Sequence, residues 1–138
     1  MSDALRELIA GQRQGVLATV KRDGRPQLSN VVYTYDPATG RLRVSITADR
    51  AKTKNLLRDP RASLYVTSPD FGRYAVAEGD VELTPVAKDP HDATVEELID
   101  VYTAIAGEHH DWDEYRAAMV ADRRLVARLT LKRVYGQA

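Results

Sequence analysis

The sequence predicts an antiparallel α+β fold, mainly β, in which six strands close into a barrel with flanking helices. Three observations carry that expectation. The apolar periodicity changes from helical to two-residue alternation at Gly15 and keeps that period through most of the chain. The connections between the first five strand segments are too short for parallel crossovers, except the one that holds a small helix. Six strands in a single domain spanning residues 1–138 most easily lose their edges by closing on themselves.

Each element follows from local chemistry. Leu5, Leu8 and Ile9 form a helical stripe that Ser2 can cap and Gly11 can end. Val16–Val20 reads as a strand, and Asp23-Gly24 as the tight turn of a hairpin. A second strand runs from Leu28 to Tyr35 and stops at Asp36-Pro37-Ala38-Thr39-Gly40. The third, Arg41–Thr47, sets Leu42, Val44 and Ile46 on one face and Arg41, Arg43, Ser45 and Thr47 on the other. A helix over Ala51–Arg58 has Leu56 and Leu57 as its apolar anchor and Pro60 beyond its end. Strands follow at Arg61–Thr67 and Tyr74–Leu83, the latter with Ala75, Ala77, Gly79 and Val81 on one side. Two helices, Thr94–Ala106 and Trp112–Ala121, precede the sixth strand, Leu125–Tyr135.

Composition excludes several function classes. The chain has no Cys, so disulfides, thiolate metal sites and thiol nucleophiles are ruled out. Twenty basic and twenty acidic side chains cancel, which argues against a nucleic-acid binder. No apolar run reaches the ~18 residues of a membrane span, and the first residues lack a signal-peptide pattern, so a cytoplasmic location is expected. The balance is nevertheless uneven. Residues 41–61 carry seven basic side chains against two acidic ones. Residues 86–115 carry nine acidic side chains against Lys88, and residues 116–138 carry six basic ones against Asp122.

The central basic stretch holds the strongest candidate site. Ser45 and Thr47 share a strand face that runs into a helix whose first turn bears Arg50, Lys52 and Lys54. Helix starts favour acids, because the peptide dipoles place partial positive charge there. Cations at that end either are solvated, with Asp49 capping the helix, or surround a phosphate or carboxylate held by free N–H groups. On the neighbouring strand Gln27, Ser29 and Val31 share a face, and Asn30 points the other way unless a bulge turns it. These side chains are either edge solvation or partners for a polar ring or ribityl chain. His109-His110-Asp111 matches no zinc spacing and reads as a capped turn, so no metal site is expected. Trp112, Tyr115 and Met119 have the spacing of a helix face packed on the barrel.

Four segments in sequence carry a resemblance: Gly15-Val-Leu-Ala-Thr-Val, Asp23-Gly24-Arg25-Pro26-Gln27-Leu28-Ser29-Asn30, Arg50-Ala51-Lys52-Thr53-Lys54-Asn55-Leu56 and Asp59-Pro60-Arg61-Ala62. Together they resemble the flavin/deazaflavin oxidoreductase family, with the FMN-binding split β-barrel related to pyridoxamine 5′-phosphate oxidase. Tyr74-Ala-Val-Ala-Glu78-Gly79, Ala106-Gly107-Glu108-His109, Asp111-Trp112-Asp113 and Val134-Tyr135-Gly136 are similar to the actinobacterial branch that uses coenzyme F-420, an 8-hydroxy-5-deazaflavin.

The resemblance implies a homodimer with two cofactor sites at its interface. It implies that Arg50 and Lys52 hold the cofactor phosphate, assisted by Ser45 and Thr47. Gln27, Ser29, Asn30 and Val31 would line the ring and ribityl region, with backbone contacts from Ile46 and Ala51 and support from Asn55. Tyr74 and Arg124 would come from the other subunit. Lys54 and Arg124 would meet the oligoglutamate tail, and Phe71 stands in a loop where close relatives often carry Trp. The implied activity is hydride transfer from reduced coenzyme F-420 to an unsaturated small-molecule substrate, with the proton supplied by solvent or a Tyr. Two alternatives remain: an FMN-dependent oxidase like pyridoxamine-phosphate oxidase, and a non-catalytic deazaflavin-binding protein.

Overall fold

A computed structural model describes residues 2–138. The elements are α1 (Ser2–Gly11), β1 (Gln14–Val20), β2 (Pro26–Val32), β3 (Thr34–Asp36), β4 (Arg41–Thr47), α2 (Ala51–Arg58), β5 (Arg61–Thr67), β6 (Tyr74–Leu83), α3 (Ala93–Ala106), α4 (Trp112–Ala121) and β7 (Arg124–Gln137). The cap expected of the Ser2 side chain lies outside the described residues. The fold is α+β and mainly β, and one antiparallel sheet in the order β2-β1-β5-β6-β7-β4-β3 holds every strand described.

The structure divides the predicted second strand in two, giving seven strands where six were expected. The division falls at Tyr33. Residues before it pair with β1, with Ala18 opposite Leu28, and residues after it pair with β4, with Tyr35 opposite Leu42. One continuous stretch of chain therefore supplies both edge strands of the curled sheet, which are joined at Tyr33. Tyr33 is fully buried. Its N–H donates to the Arg13 carbonyl at 2.8 Å, and its phenol donates to the Ile9 carbonyl at 2.5 Å. Burial pushes its hydroxyl well above the ordinary phenol range.

Alternation fills the interior. Leu42, Val44 and Ile46 of β4, Leu64 and Val66 of β5, and Ala75, Ala77 and Val81 of β6 are all buried in one core. Leu5, Leu8 and Ile9 of α1 belong to the same core. At Gly79 the β6–β7 register shifts, and a Cβ there would run into the Thr130 carbonyl, so only glycine lets the two backbones approach. Leu57, expected to anchor α2, is 72% exposed; Leu56 alone is buried.

A second core lies outside the barrel, where α3 and α4 pack on β7. It joins Val95, Leu98 and Val101 of α3, Tyr115 and Met119 of α4, and Val126. Helix α3 is capped by Asp92, which accepts from the Val95 N–H at 2.9 Å. It is fastened to the sheet by Glu97, whose carboxylate takes a forked contact from the Arg128 guanidinium. That contact, then the nearby Arg128 and Arg43 charges, holds the Glu97 carboxyl below its usual value against the effect of burial.

Two outcomes follow. Tyr33→Phe leaves the Ile9 carbonyl short of its donor and is expected to cost about 1–3 kcal/mol in urea unfolding, with far-UV dichroism unchanged. Because the folded carboxyl of Glu97 is depressed, its contribution is full above the unfolded glutamate pKa and fades as pH falls through the folded value. Glu97→Gln should therefore lower Tm at neutral pH, with the gap to wild type closing on acidification below pH ~4.

Candidate functional site

The junction between β4 and α2 is built to leave a helix start uncovered. Arg50 occupies the N-cap with extended backbone, no side chain caps the helix, and its first turn contains no acid. The cap expected from Asp49 is not made. Thr53 ties the junction down by donating its hydroxyl to the Thr47 carbonyl at 2.6 Å. Farther along α2, buried Asn55 donates to Thr19 Oγ1 at 3.1 Å, and Thr19 donates to Gln27 Oε1 at 2.9 Å. Arg58 completes the brace through Asn55 Oδ1 and the Val20 carbonyl. Asn55 and Gln27 are thereby committed to holding α2 on β1 and β2.

Beside that helix start is a cavity of about 460 Å³, within the size range of small-molecule sites. Its floor is β4, its rim is β2 and the start of α2, and its wall is the α3–α4 hairpin. The cavity brings together eight of the residues expected in the site: Asn30, Val31, Ser45, Ile46, Thr47, Arg50, Lys52 and Arg124. Three of these are cations, and no carboxylate lines the cavity. Arg50 and Lys52 form no ion pair among the described residues. Arg124 reaches Asp122 only at 4.0 Å.

The cavity's polar atoms are correspondingly unsatisfied. Arg124 makes long contacts to Ser45, 3.4 Å to Oγ and 3.5 Å to the carbonyl, while its Nε is buried without a partner. Thr47 Oγ1 is also buried with no partner at full hydrogen-bond geometry, its nearest claim being the neighbouring Asp49 carboxylate, which it helps to hold below its ordinary pKa. Burial, then Arg50 and Arg124, hold the Lys52 ammonium below its ordinary pKa. A phosphate-bearing group fits this donor set: it would supply acceptors to the orphaned N–H and O–H groups and a counter-charge to all three cations.

Other expected site residues lie elsewhere. Ser29 faces inward from β2 opposite Leu17, with its hydroxyl buried and unpaired. Ala51 and Lys54 are exposed on α2. Tyr74 stacks on Tyr65 with ring centres 5.8 Å apart, and Tyr65 lines a separate groove with Asn30, Val31 and Thr67. Phe71 is 76% exposed with φ of 64° in its loop, away from the cavity. Arg124, which the resemblance assigned to the second subunit, stands in this chain's own cavity.

Sequence reasoning missed the hairpin wall. Val101, Tyr102, Ile105, Tyr115 and Met119 line the cavity, although the helical spacing of Tyr115 and Met119 had suggested only packing. His109 and Asp111 form a turn, as their sequence suggested. His109 Nδ1 accepts from the Asp111 N–H at 2.9 Å, and Asp111 caps α4. Among the described residues no group of three His, Cys, Asp or Glu side chains is placed to hold a metal.

Comparison with known proteins agrees with this architecture. The family profile for pyridoxamine 5′-phosphate oxidase matches residues 1–138. The chain belongs to the pyridoxamine 5′-phosphate oxidase family. Within its split-barrel relatives it is similar to a solved F-420 reductase at 26% identity and TM-score 0.72, covering 94% of each chain. It also shares its fold with the conserved hypothetical protein Rv2991 from Mycobacterium tuberculosis, at 23% identity and TM-score 0.74, over 99% of this chain and 84% of that one. An FAD-binding protein of Mesorhizobium loti matches at 18% identity and TM-score 0.70, over 99% of this chain and 91% of that one. Membership of the pyridoxamine 5′-phosphate oxidase family makes the chain one of a group of flavin-binding oxidoreductases. Among the described residues no helix is long and apolar enough to cross a membrane.

An uncompensated cation cluster has a measurable cost. Lys52→Met removes one member of the like-charged set and should stabilise the ligand-free protein by about 0.2–0.5 kcal/mol, the size of a like-charge pair on a helix. Raising salt should narrow that difference in thermal unfolding, because screening relieves the wild-type repulsion.

Proposed function

We propose that the protein is a coenzyme F-420-dependent oxidoreductase that passes hydride from the reduced deazaflavin to an unsaturated organic substrate. The observation that carries this reading is the cavity at the uncapped start of α2, with three cations, two orphaned buried donors and no acid. The likeness to an F-420 reductase over 94% of both chains supports the deazaflavin as the ligand.

In this reading the cofactor phosphate is held by Arg50, Lys52 and the first N–H groups of α2, with Thr47 and Arg124 donating from the cavity floor. Asn30 and Val31 flank the ring from the β2 rim. Lys54 stands at the exposed mouth, where it would meet an acidic tail. Gln27 and Asn55 act at one remove, by fixing α2, and Ser29 lies outside the cavity on the inner face of β2. The bound deazaflavin supplies a hydride; the chain supplies orientation, counter-charge and a cavity from which the α3–α4 hairpin excludes water.

The working unit in this reading is a cytoplasmic homodimer of single-domain subunits. The outer face of β2, β1, β5, β6 and β7 supports the dimer: Leu28, Val32 and Tyr135 are 62%, 46% and 44% exposed there. Such an apolar patch marks an interaction surface. A dimer through this face would bring Tyr74 and Phe71 toward a neighbouring subunit.

The phosphate site serves FMN equally well, so a cofactor screen decides between the two. Coenzyme F-420 is expected to quench or shift on binding at micromolar concentration, with FMN and FAD at least tenfold weaker. Preferential FMN binding with oxygen-linked turnover of pyridoxamine phosphate would establish the oxidase reading. Tight F-420 binding without reduction of any enone or quinone would identify a carrier. Arg50→Ala and Lys52→Ala should each weaken cofactor binding by about 1.5–3 kcal/mol, the range for a charged hydrogen bond. Unfolding free energies should stay within about 0.5 kcal/mol of wild type, as for surface substitutions. Unchanged dissociation constants would return both residues to plain surface.

A further inference from the structure

The cavity has two chemically distinct ends, and only the cationic one is accounted for by a phosphate. The other is the wall supplied by α3 and α4. There Val101, Ile105 and Met119 are aliphatic, and Tyr102 and Tyr115 meet edge to face with centres 5.1 Å apart. The two tyrosines differ in one decisive respect. The Tyr115 hydroxyl is spent inside the protein, donating to the Leu98 carbonyl at 3.0 Å, and burial pushes its pKa up to about 12. The Tyr102 hydroxyl makes no hydrogen bond with any described residue, so an otherwise apolar wall carries one free donor.

The Tyr102 ring itself is held in place. It packs edge-on against Trp112 at 5.8 Å and His109 at 5.2 Å, and these residues are fixed in turn. Trp112 Nε1 donates to Glu108 at 3.0 Å, and His109 accepts from the Asp111 N–H. A free hydroxyl on a rigid aromatic wall is a pre-organised contact, because its ligand does not have to order the side chain that receives it. The field across the cavity adds a second constraint. With Arg50, Lys52 and Arg124 at one end and no carboxylate anywhere in the lining, a cationic ligand is repelled.

We propose that the α3–α4 hairpin is the substrate-recognition element, and that Tyr102 orients a flat, apolar, uncharged substrate by donating its hydroxyl to a carbonyl or similar acceptor. This inference rests on the reading of the cationic end as the cofactor site, and it makes Tyr102 a specificity-determining residue. Selectivity then has three parts. Aromatic and aliphatic side chains favour a planar apolar body, Tyr102 favours a molecule with an acceptor, and the cations exclude positive charge.

Direct binding to the full chain tests it, with and without saturating coenzyme F-420. Three probes of one size are used: 1-indanone, which has a carbonyl acceptor, indane, which has none, and 1-aminoindane, a cation at neutral pH. Titration calorimetry gives the constants. The chain's single tryptophan, Trp112, reports by fluorescence because it touches Tyr102. The expected result is that 1-indanone binds about tenfold tighter than indane, equivalent to about 1.4 kcal/mol. The amine should bind more weakly than either. Tyr102→Phe should erase the ketone preference while leaving indane affinity and Tm unchanged.

A ketone preference that survives Tyr102→Phe would overturn the proposal. So would an amine that binds as well as the ketone, or no binding of any probe at millimolar concentration. The two readings fail separately. If the probes rank as expected but no flavin or deazaflavin binds, the hairpin wall stands and the cofactor assignment falls. If coenzyme F-420 binds and the probe ranking is absent, the cofactor assignment stands and the role of Tyr102 falls.

Discussion

The closure at Tyr33 is the constraint on which the rest of the molecule depends. Strands β2 and β3 are the two edge strands of the sheet. Because a single residue joins them, the edges are held together by covalent geometry, and Tyr33 locks the joint with both its N–H and its phenol. The consequence for function is positional. Val31 and Asn30 lie just before the joint, and β4, which β3 pairs with, lies just after it. The joint therefore fixes how far the β2 rim stands from the β4 floor. The cavity lies between the β2 rim and the β4 floor that this joint connects.

The seam sets the shape of the site, while the start of α2 sets its charge. Here stability and binding pull in opposite directions. Asn55, Thr19 and Gln27 use a chain of buried hydrogen bonds to hold α2 where its N-terminus opens on the cavity. An acid at the first turn would relieve the dipole and the three cations together, and none is present. The molecule keeps Lys52 half-buried between two arginines, with donors on Arg124 and Thr47 unsatisfied. Such an arrangement is costly in the free protein and becomes favourable only with an anion bound, as expected where a site is organised for its ligand and not for the empty state.

Much of this was legible in the sequence, for identifiable reasons. The bounds of β4, α2, β5, β6 and α4 follow from alternation, Pro60 and the turn residues, because these signals are local. The cationic end of the cavity was legible for the same reason: Ser45, Thr47, Arg50 and Lys52 lie on one strand-to-helix junction. Three features depended on tertiary information. Tyr33 sits inside the β-favouring stretch Val31-Val32-Tyr33-Thr34-Tyr35 with no turn residue to break it, and only the change of pairing partner divides it. Gln27 and Asn55 have the chemistry of ligand contacts, but their amides meet each other's network through Thr19, a residue 36 positions from Asn55. Tyr115 has the spacing of a core residue and is one, and Tyr102 is half-buried against the same core. That they also wall a cavity depends on where the hairpin lands on β7, which periodicity does not encode.

The charge blocks along the chain find their meaning at the same level. The acidic segment and the basic tail are complementary surfaces of one packing. Glu97 of α3 engages Arg128 of β7 and approaches Arg43 of β4, Glu96 engages Arg116 of α4, and Asp80 engages Lys132. The Glu97 contacts fasten the hairpin to the barrel, Glu96–Arg116 joins its two helices, and Asp80–Lys132 ties β6 to β7. Arg50 and Lys52 of the central block are left out of that exchange, and Arg124 is left with a distant partner. A net charge of zero is thus compatible with a local cluster of cations: the compensating acids lie elsewhere in the chain, and the contacts of Glu97 with Arg128 and Arg43 hold the cavity's far wall on the barrel.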